Sequence, residues 1–245
     1  DRTIVSARNI KVPVGVDGCR AGWFYVYKKC SAFEFGIAKT LNELCAICPA
    51  DSAIFIDCAI GLRDRSAVPR ACDSDARKLL GRPRSSSVFP IPIRAVLRCK
   101  GYSSALAKSR RLSGKGLSKQ AFAIMGKILE LDDLLAGEKI QAPSFREIHP
   151  ELCFWALARG RAMTHSKKLR QGFHERLTVL NEYCPQANDI IDLAMSRYSS
   201  RDLNRDDVVD ALALLRVAPP RTRRWPRLQR RSACPPERRL HEGGA

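Results

Sequence analysis

No apolar run in the 245-residue chain approaches the roughly 20 residues that span a bilayer, which excludes a membrane-spanning helix. The opening stretch, DRTIVSARNIKVPV, lacks the long apolar core of a secretory signal. An initiator Met is missing too. The first methionine is Met125, so the chain is expected to start inside its reading frame or to be processed. A cysteine framework is absent although there are ten cysteines. Only Cys45 and Cys48 form a C-x-x-C, and no second pair or His pair follows at the spacing of a four-ligand zinc site, which leaves helix packing as the simpler reading of the two. The other cysteines read as small buried apolar groups. Unpaired usage of this kind fits a reducing cytoplasm better than export.

What is present is a core and a great deal of positive charge. Hydrophobic residues make up 45% of the chain, enough for a core, and its length suits one large domain or two small ones. The net charge of +18 is unevenly placed. Residues 63–119 hold 15 Lys or Arg against Asp64, Asp73 and Asp75, and residues 219–245 hold eight Arg against Glu237 and Glu242. The remainder is neutral. A neutral scaffold with one basic insert predicts a polyanion-binding surface. The alternative is that these arginines, Arg82, Arg84 and Arg94 among them, support the insert's own fold through Asp73 and Asp75.

Residues 12–17 predict a strand, WFYVYKK a return strand and AFEFGIAK a third, together an antiparallel meander. TLNELCAIC predicts a short helix. SAIFIDCAIGL is an apolar run broken by Asp57, which suits a central strand parallel to the first. Residues 63–116 look irregular, and GRPRSSSVFPIPIRAVL has too many prolines to be one helix. Ser118 caps a helix whose apolar positions Ala121, Ile124, Met125, Ile128, Leu131 and Leu135 keep a 3.6 period up to Gly137. SFREIHP predicts a strand, while ELCFWALA, HERLTVLNEY and NRDDVVDALALLRVA predict helices, the last ended by Pro219 and Pro220. This is one α/β domain over residues 1–218 with an insertion at about 63–137. Residues 219–245 form an Arg/Pro-rich tail without periodicity, expected to be disordered; its composition is also what an out-of-frame reading of a GC-rich gene would give.

Asp17 and Asp57 each end an apolar strand. If those strands are parallel neighbours, the two carboxylates lie side by side. Asp207 and Asp210 share a face of the last helix, and Val208, Ala211, Leu212 and Leu215 make the adjoining face that packs on the sheet. Carboxylates crowded together raise each other's pKa, and a hard cation such as Mg²⁺ or Mn²⁺ removes that cost. Each acid also has a plainer explanation. Asp17 caps the following turn, Asp206 is an N-cap, and Asp207 and Asp210 are solvated helix charges. Glu147 and Glu151 flank a strand end and are candidates to join the cluster. His149 reads as a structural histidine rather than a base.

The segments VGVDGCRAGW, IDCAIGLRD, CDSDARKLLGRPRSSSVFPIPIRAVL, GLSKQAFAI, REIHPELCFWAL and RDDVVDALA resemble, in the same order, the motifs of a bacterial family known as domain of unknown function 429. That family is described as predicted nucleases with an RNase H-like fold. The resemblance covers about residues 12–217. It implies three antiparallel strands, a helix and a parallel fourth strand, with metal-binding and catalytic acids at Asp17, Asp57, Asp207 and Asp210. Two departures stand out. Cys58 and Ala59 occupy a segment that is more proline-containing in the family, and the tail after Pro219 does not resemble the family's ending.

The leading expectation is therefore a Mg²⁺- or Mn²⁺-dependent nuclease. Asp17, Asp57, Asp207 and Asp210 hold the metal, Glu147 joins the catalytic set, and Arg63, Arg82, Arg84, Ser86 and Arg94 contact nucleic acid. Two rivals remain. One is a noncatalytic nucleic-acid-binding module. The other is an actin- or sugar-kinase-like phosphotransferase, whose phosphate hairpin DGCRAG could imitate, although no second copy of V-x-V-D-G is present.

Overall fold

Alternation along the first strand decides how the two faces of the sheet are used. In β1 (Val12–Cys19), Val14 and Val16 point to one side, and Gly15 and Asp17 to the other. The computed structural model describes residues 12–66, 68–137 and 143–217. β1 pairs antiparallel with β2 (Gly22–Lys29), which pairs antiparallel with β3 (Ala32–Ala38), forming the expected meander. After the short helix α1 (Leu41–Ile47), the chain returns as β4 (Ser52–Ile56), parallel to β1 with Val16 opposite Ile56. A fifth strand, β5 (Ser144–Glu147), pairs parallel with β4. The order β3-β2-β1-β4-β5 is an open mixed sheet, consistent with an RNase H-like core.

Every residue of β4 is buried, as a central strand covered on both faces requires. Its even positions, Ile54 and Ile56, join Val14, Val16 and Trp23 in one core with α1. The rest of that layer comes from the segment between β4 and β5, where α2 (Ala71–Arg84) sets Ala76 and Leu80 in a separate small cluster with Val88, Leu152 and Trp155 and is followed by α3 (Tyr102–Ser113), α4 (Lys119–Ala123) and α5 (Met125–Ala136). Of these, α3, α4 and α5 bury Ala105, Ala121, Met125, Ile128 and Leu131 in that core. From Phe89 onward the insertion is thus one covering layer of the domain. The opposite face, with Phe24, Val26, Ala53 and Phe55, packs on α6 (Pro150–Leu157), α7 (Arg170–Asn181), α8 (Ala187–Arg197) and α9 (Arg205–Val217).

Three sequence expectations change. Residues 63–116 contain two helices, α2 and α3, whose buried stripes are too thin to give a periodic signal: Asp73, Ala76 and Leu80 in one, Ala105 and Ser109 in the other. Gly81, at φ 57°, breaks α2 before Pro83, so the Pro-rich stretch is indeed not one helix. The helix starting at Ser118 is two, because Ile124 at φ −97° and ψ 0° separates α4 from α5. Asp206 is not an N-cap but lies in the first turn of α9. Among the described residues, no helix is long and apolar enough to cross a membrane. The tail read as disordered lies outside the described residues.

Candidate functional site

The four aspartates picked out on sequence come together where β1 and β4 end. The Asp57 N–H donates to the Val16 carbonyl at 3.1 Å and carries the parallel ladder one step past Ile56. Asp17 and Asp57 therefore stand on neighbouring chains about 5 Å apart, on the face that α9 covers. α9 lies directly on β1: a Cβ on Gly15 would sit 2.0 Å from the Ala211 carbonyl oxygen. Only glycine allows this approach. It brings the N-terminal turns of α9, with Asp207 and Asp210, over Asp17. Asp207 also caps its own helix, its Oδ2 accepting the Asn204 N–H at 2.9 Å.

Burial makes this cluster costly. Asp17 is held well above the usual carboxylate range, by desolvation first and then by the charges of Asp57 and Asp210. Its Oδ1 accepts the Gly18 N–H at 2.8 Å, so the turn-capping role exists alongside membership of the cluster. Asp57 is pushed up to about 6, mainly by burial, with His149 and Lys167 opposing and Asp210 and Glu147 adding to the rise. Burial raises Asp207 and Asp206 as well. Among the described residues, the Asp57 carboxylate has no hydrogen-bond or ion-pair partner.

One cation in the cluster was not foreseen. Lys167 reaches from the α6–α7 loop to place its Nζ 2.5 Å from Asp210 Oδ2. Asp210 is almost fully buried. The Lys167 ammonium is held in its charged form chiefly by Asp210, against desolvation, with help from Asp17 and Asp57. No periodicity or motif marks Lys167 in THSKKLRQG. Its partner is 43 positions away, and only the fold joins them.

A second cation, Arg70, was also missed, and it accounts for Glu147. Its Nη2 lies 2.6 Å from Glu147 Oε1 and 2.7 Å from Asp73 Oδ1. Glu147 Oε2 accepts from Arg70 Nη1 at 2.8 Å and from the Ile60 N–H at 2.7 Å. Cys72, Asp73 and Glu147 lie close enough together to hold a metal, but the Arg70 guanidinium already supplies the positive charge there. Glu147 therefore stands beside the aspartates with both oxygens engaged. Glu151 points elsewhere, to the buried Arg176 at 2.5 Å. His149 caps α6: its Nδ1 accepts the Glu151 N–H at 3.2 Å and its Nε2 lies 3.3 Å from the Ser87 carbonyl. That pair of bonds calls for the Nε2–H tautomer.

Asp17, Asp57 and Asp207, but not Asp210, line a cleft of about 350 Å³. Lys167 lines it with them, and its walls include Leu79, Val88, Phe89, Ile91, Leu152 and Trp155. None of the five predicted nucleic-acid contacts lines this cleft. Arg94 is engaged by Asp64 and by Asp132, the latter at 2.9 Å, so its guanidinium ties the insert together. Arg63 accepts the Arg94 N–H at its backbone carbonyl at 2.8 Å. Arg84 donates to the His165 carbonyl at 3.3 Å, and Ser86 to the Pro83 carbonyl at 2.9 Å. Arg82 is exposed beyond the Gly81 kink. The C-x-x-C cysteines lie in α1 and just after it. Burial raises the Cys45 thiol and pushes Cys48 up to about 12, the opposite of what a thiolate ligand needs.

The family model described as protein of unknown function (DUF429) matches residues 15–235. The match covers all six motif segments but the first residue of VGVDGCRAGW, and it continues past Pro219 into the basic tail. No curated protein and no solved structure matches the chain.

Proposed function

We propose that this chain, which belongs to the protein of unknown function (DUF429) family, is a divalent-metal-dependent hydrolase of phosphodiester bonds in nucleic acid. The observation that carries the proposal is the meeting of four carboxylates from three elements where β1 and β4 end, with Asp57 unpartnered among the described residues and Lys167, paired with Asp210, offsetting part of their charge. All the donors are oxygens, which suits Mg²⁺ or Mn²⁺ rather than a softer metal. Asp17 and Asp57 would hold the ion, with Asp207 and the second oxygen of Asp210 as further ligands. Such an ion lowers the pKa of bound water and neutralises charge on the phosphoryl oxygens.

The remaining work falls to the chain itself. Lys167 presents a fixed positive charge next to the reacting phosphate. Gly15 lets α9 approach, and the Arg70–Glu147 pair holds the β5 end of the site. The apolar walls suit a base or sugar lying beside the scissile phosphate. Phe89 and Trp155 offer ring surface, on which unpaired bases stack. A cleft of this size favours a single strand or a strand end over an intact duplex. The exposed cations of the insert, Arg82 among them, would meet the backbone farther away. The unpaired cysteines suit a reducing compartment such as the cytoplasm.

Phosphotransfer is less well supported. In the DGCRAG hairpin, the Gly18 N–H is bonded to Asp17 and the Ala21 N–H to the Asp202 carbonyl at 3.1 Å. Those amides are not available to cradle a phosphate. Incubation of the purified chain with single-stranded and duplex oligonucleotides, in Mg²⁺, Mn²⁺ or EDTA, tests the proposal. Metal-dependent cleavage that Asp57→Asn abolishes is expected, faster on the single strand. Cleavage that persists in EDTA contradicts it, and binding without cleavage assigns the chain to the noncatalytic class.

A further inference from the structure

We infer that Lys167 is a built-in cation of the carboxylate site, standing on its Asp210 side in place of a second metal ion, so that the chain binds one divalent ion rather than two. This rests on the metal reading above. Its independent support is how firmly the structure places this lysine.

The ammonium lies 2.5 Å from Asp210 Oδ2, on a carboxylate whose side chain is 2% exposed. A carboxylate so enclosed needs a cation within its own shell, because water cannot supply the compensation. A flexible lysine would ordinarily lose rotamer freedom in meeting that need. Here the backbone around it is fastened to α7. Glu175 accepts the Thr164 N–H at 2.7 Å and the His165 N–H at 2.9 Å. Arg176 donates to the His165 carbonyl at 3.0 Å and to the Gly172 carbonyl at 2.8 Å, and is itself anchored on Glu151. A Cβ on Gly172 would lie 2.0 Å from the Ser166 carbonyl oxygen, so the loop is pressed onto the helix immediately before Lys167. The Leu169 N–H closes the turn on the Ser166 carbonyl at 2.9 Å. A salt bridge of convenience would not require a buried arginine, a carboxylate taking two consecutive amides and a glycine where any Cβ would force the Ser166 backbone to move.

One consequence is a charge count. Lys167 offsets one carboxylate permanently, and a single divalent ion offsets two more. A second divalent ion on the Asp210 side would have to displace the ammonium from Asp210. A lysine at that place also brings a positive charge to the phosphate without needing a second ion to arrive.

The test is a count of tightly bound Mn²⁺ on the full chain, without nucleic acid, by titration calorimetry and by electron paramagnetic resonance of the free ion. One ion is expected for the parent, two for Lys167→Met and one for Lys167→Arg, which keeps the charge. Two tight ions on the parent overturn the inference, with no variant needed. One ion on both the parent and a folded Lys167→Met overturns it as well, reducing Lys167 to a structural pair. No ion on any of the three proteins instead removes the metal reading itself, and the inference falls with it. Gly172→Ala, whose Cβ would push the Ser166 carbonyl away from α7, is expected, as folded protein, to raise the occupancy of a second ion while leaving the first unchanged. An unaltered count in that variant contradicts the positioning argument.

Discussion

Gly15 on β1 and Ala211 on α9 are in backbone contact: a Cβ added at Gly15 would stand 2.0 Å from the Ala211 carbonyl oxygen and 2.8 Å from the Leu215 nitrogen. The carboxylate site depends on that contact, because the same helix carries Asp207 one turn earlier and Asp210 immediately before Ala211. Gly15→Ala is expected to push α9 off the sheet, costing about 1–3 kcal/mol as overpacking does, and to weaken metal binding. Urea denaturation and a Mn²⁺ titration of the variant check both effects. An unchanged denaturation midpoint contradicts the packing argument.

The raised carboxylates make a signed prediction about pH. Asp57 is pushed up to about 6 in the folded chain and has an ordinary value when unfolded. The folded state therefore binds a proton that the unfolded state does not in the window between those values, and stability rises as pH falls through it. Asp17 shifts in the same direction, through burial and its acidic neighbours. Glu175 behaves oppositely, because the amides of His165 and Thr164 outweigh its burial and lower it; its contribution is lost only below the ordinary glutamate range. Metal-free protein is expected to gain on the order of 1 kcal/mol of stability between pH 7 and pH 5. With millimolar Mg²⁺ the trend should flatten or reverse, since protons and metal compete. Chemical denaturation at the two pH values, with and without Mg²⁺, checks the sign.

Arg94 and Arg82 are expected to part company. Arg94 is engaged by Asp64 and Asp132. Arg94→Ala leaves those acids without their cation and should cost about 1–3 kcal/mol of stability, with little change in the salt dependence of nucleic-acid binding. Arg82 is exposed, and Arg82→Glu should leave stability nearly unchanged while lowering the salt slope by about one if it meets a phosphate. Denaturation curves and binding titrations at several salt concentrations separate the two roles. A smaller slope for the Arg94 variant alone would reverse the assignment.

The parts of the site legible in the sequence were those carried on periodic elements. An acid interrupting an apolar strand is a visible anomaly, so Asp17 and Asp57 stood out. Asp207 and Asp210 stood beside a clear apolar face. Lys167 and Arg70 gave no such signal, because one lies in a loop, the other just ahead of a helix with a thin buried stripe, and each meets a partner at least 43 residues away. The charge count misled in one respect. It located the insert's arginines but could not show that Arg94 and Arg70 are paired internally, nor that the wall facing the site is apolar. α8 was passed over although Ala187, Ile190, Ile191 and Ala194 form a helical stripe; its polar neighbours in ANDIIDLAMSR masked the period.

The central claim is that the converging carboxylates form a metal site, and thermal melts of the parent and Asp57→Asn, each in EDTA and in millimolar Mg²⁺, test it most directly. Asp57→Asn removes one mutually repelled charge while nearly keeping the shape. In EDTA the variant is therefore expected to match or exceed the parent, by on the order of 1 kcal/mol. Mg²⁺ should raise the melting temperature of the parent, since a ligand that binds only the native state stabilises it, and should do little for the variant. A variant clearly less stable than the parent in EDTA, with no Mg²⁺ shift in either protein, would contradict the account.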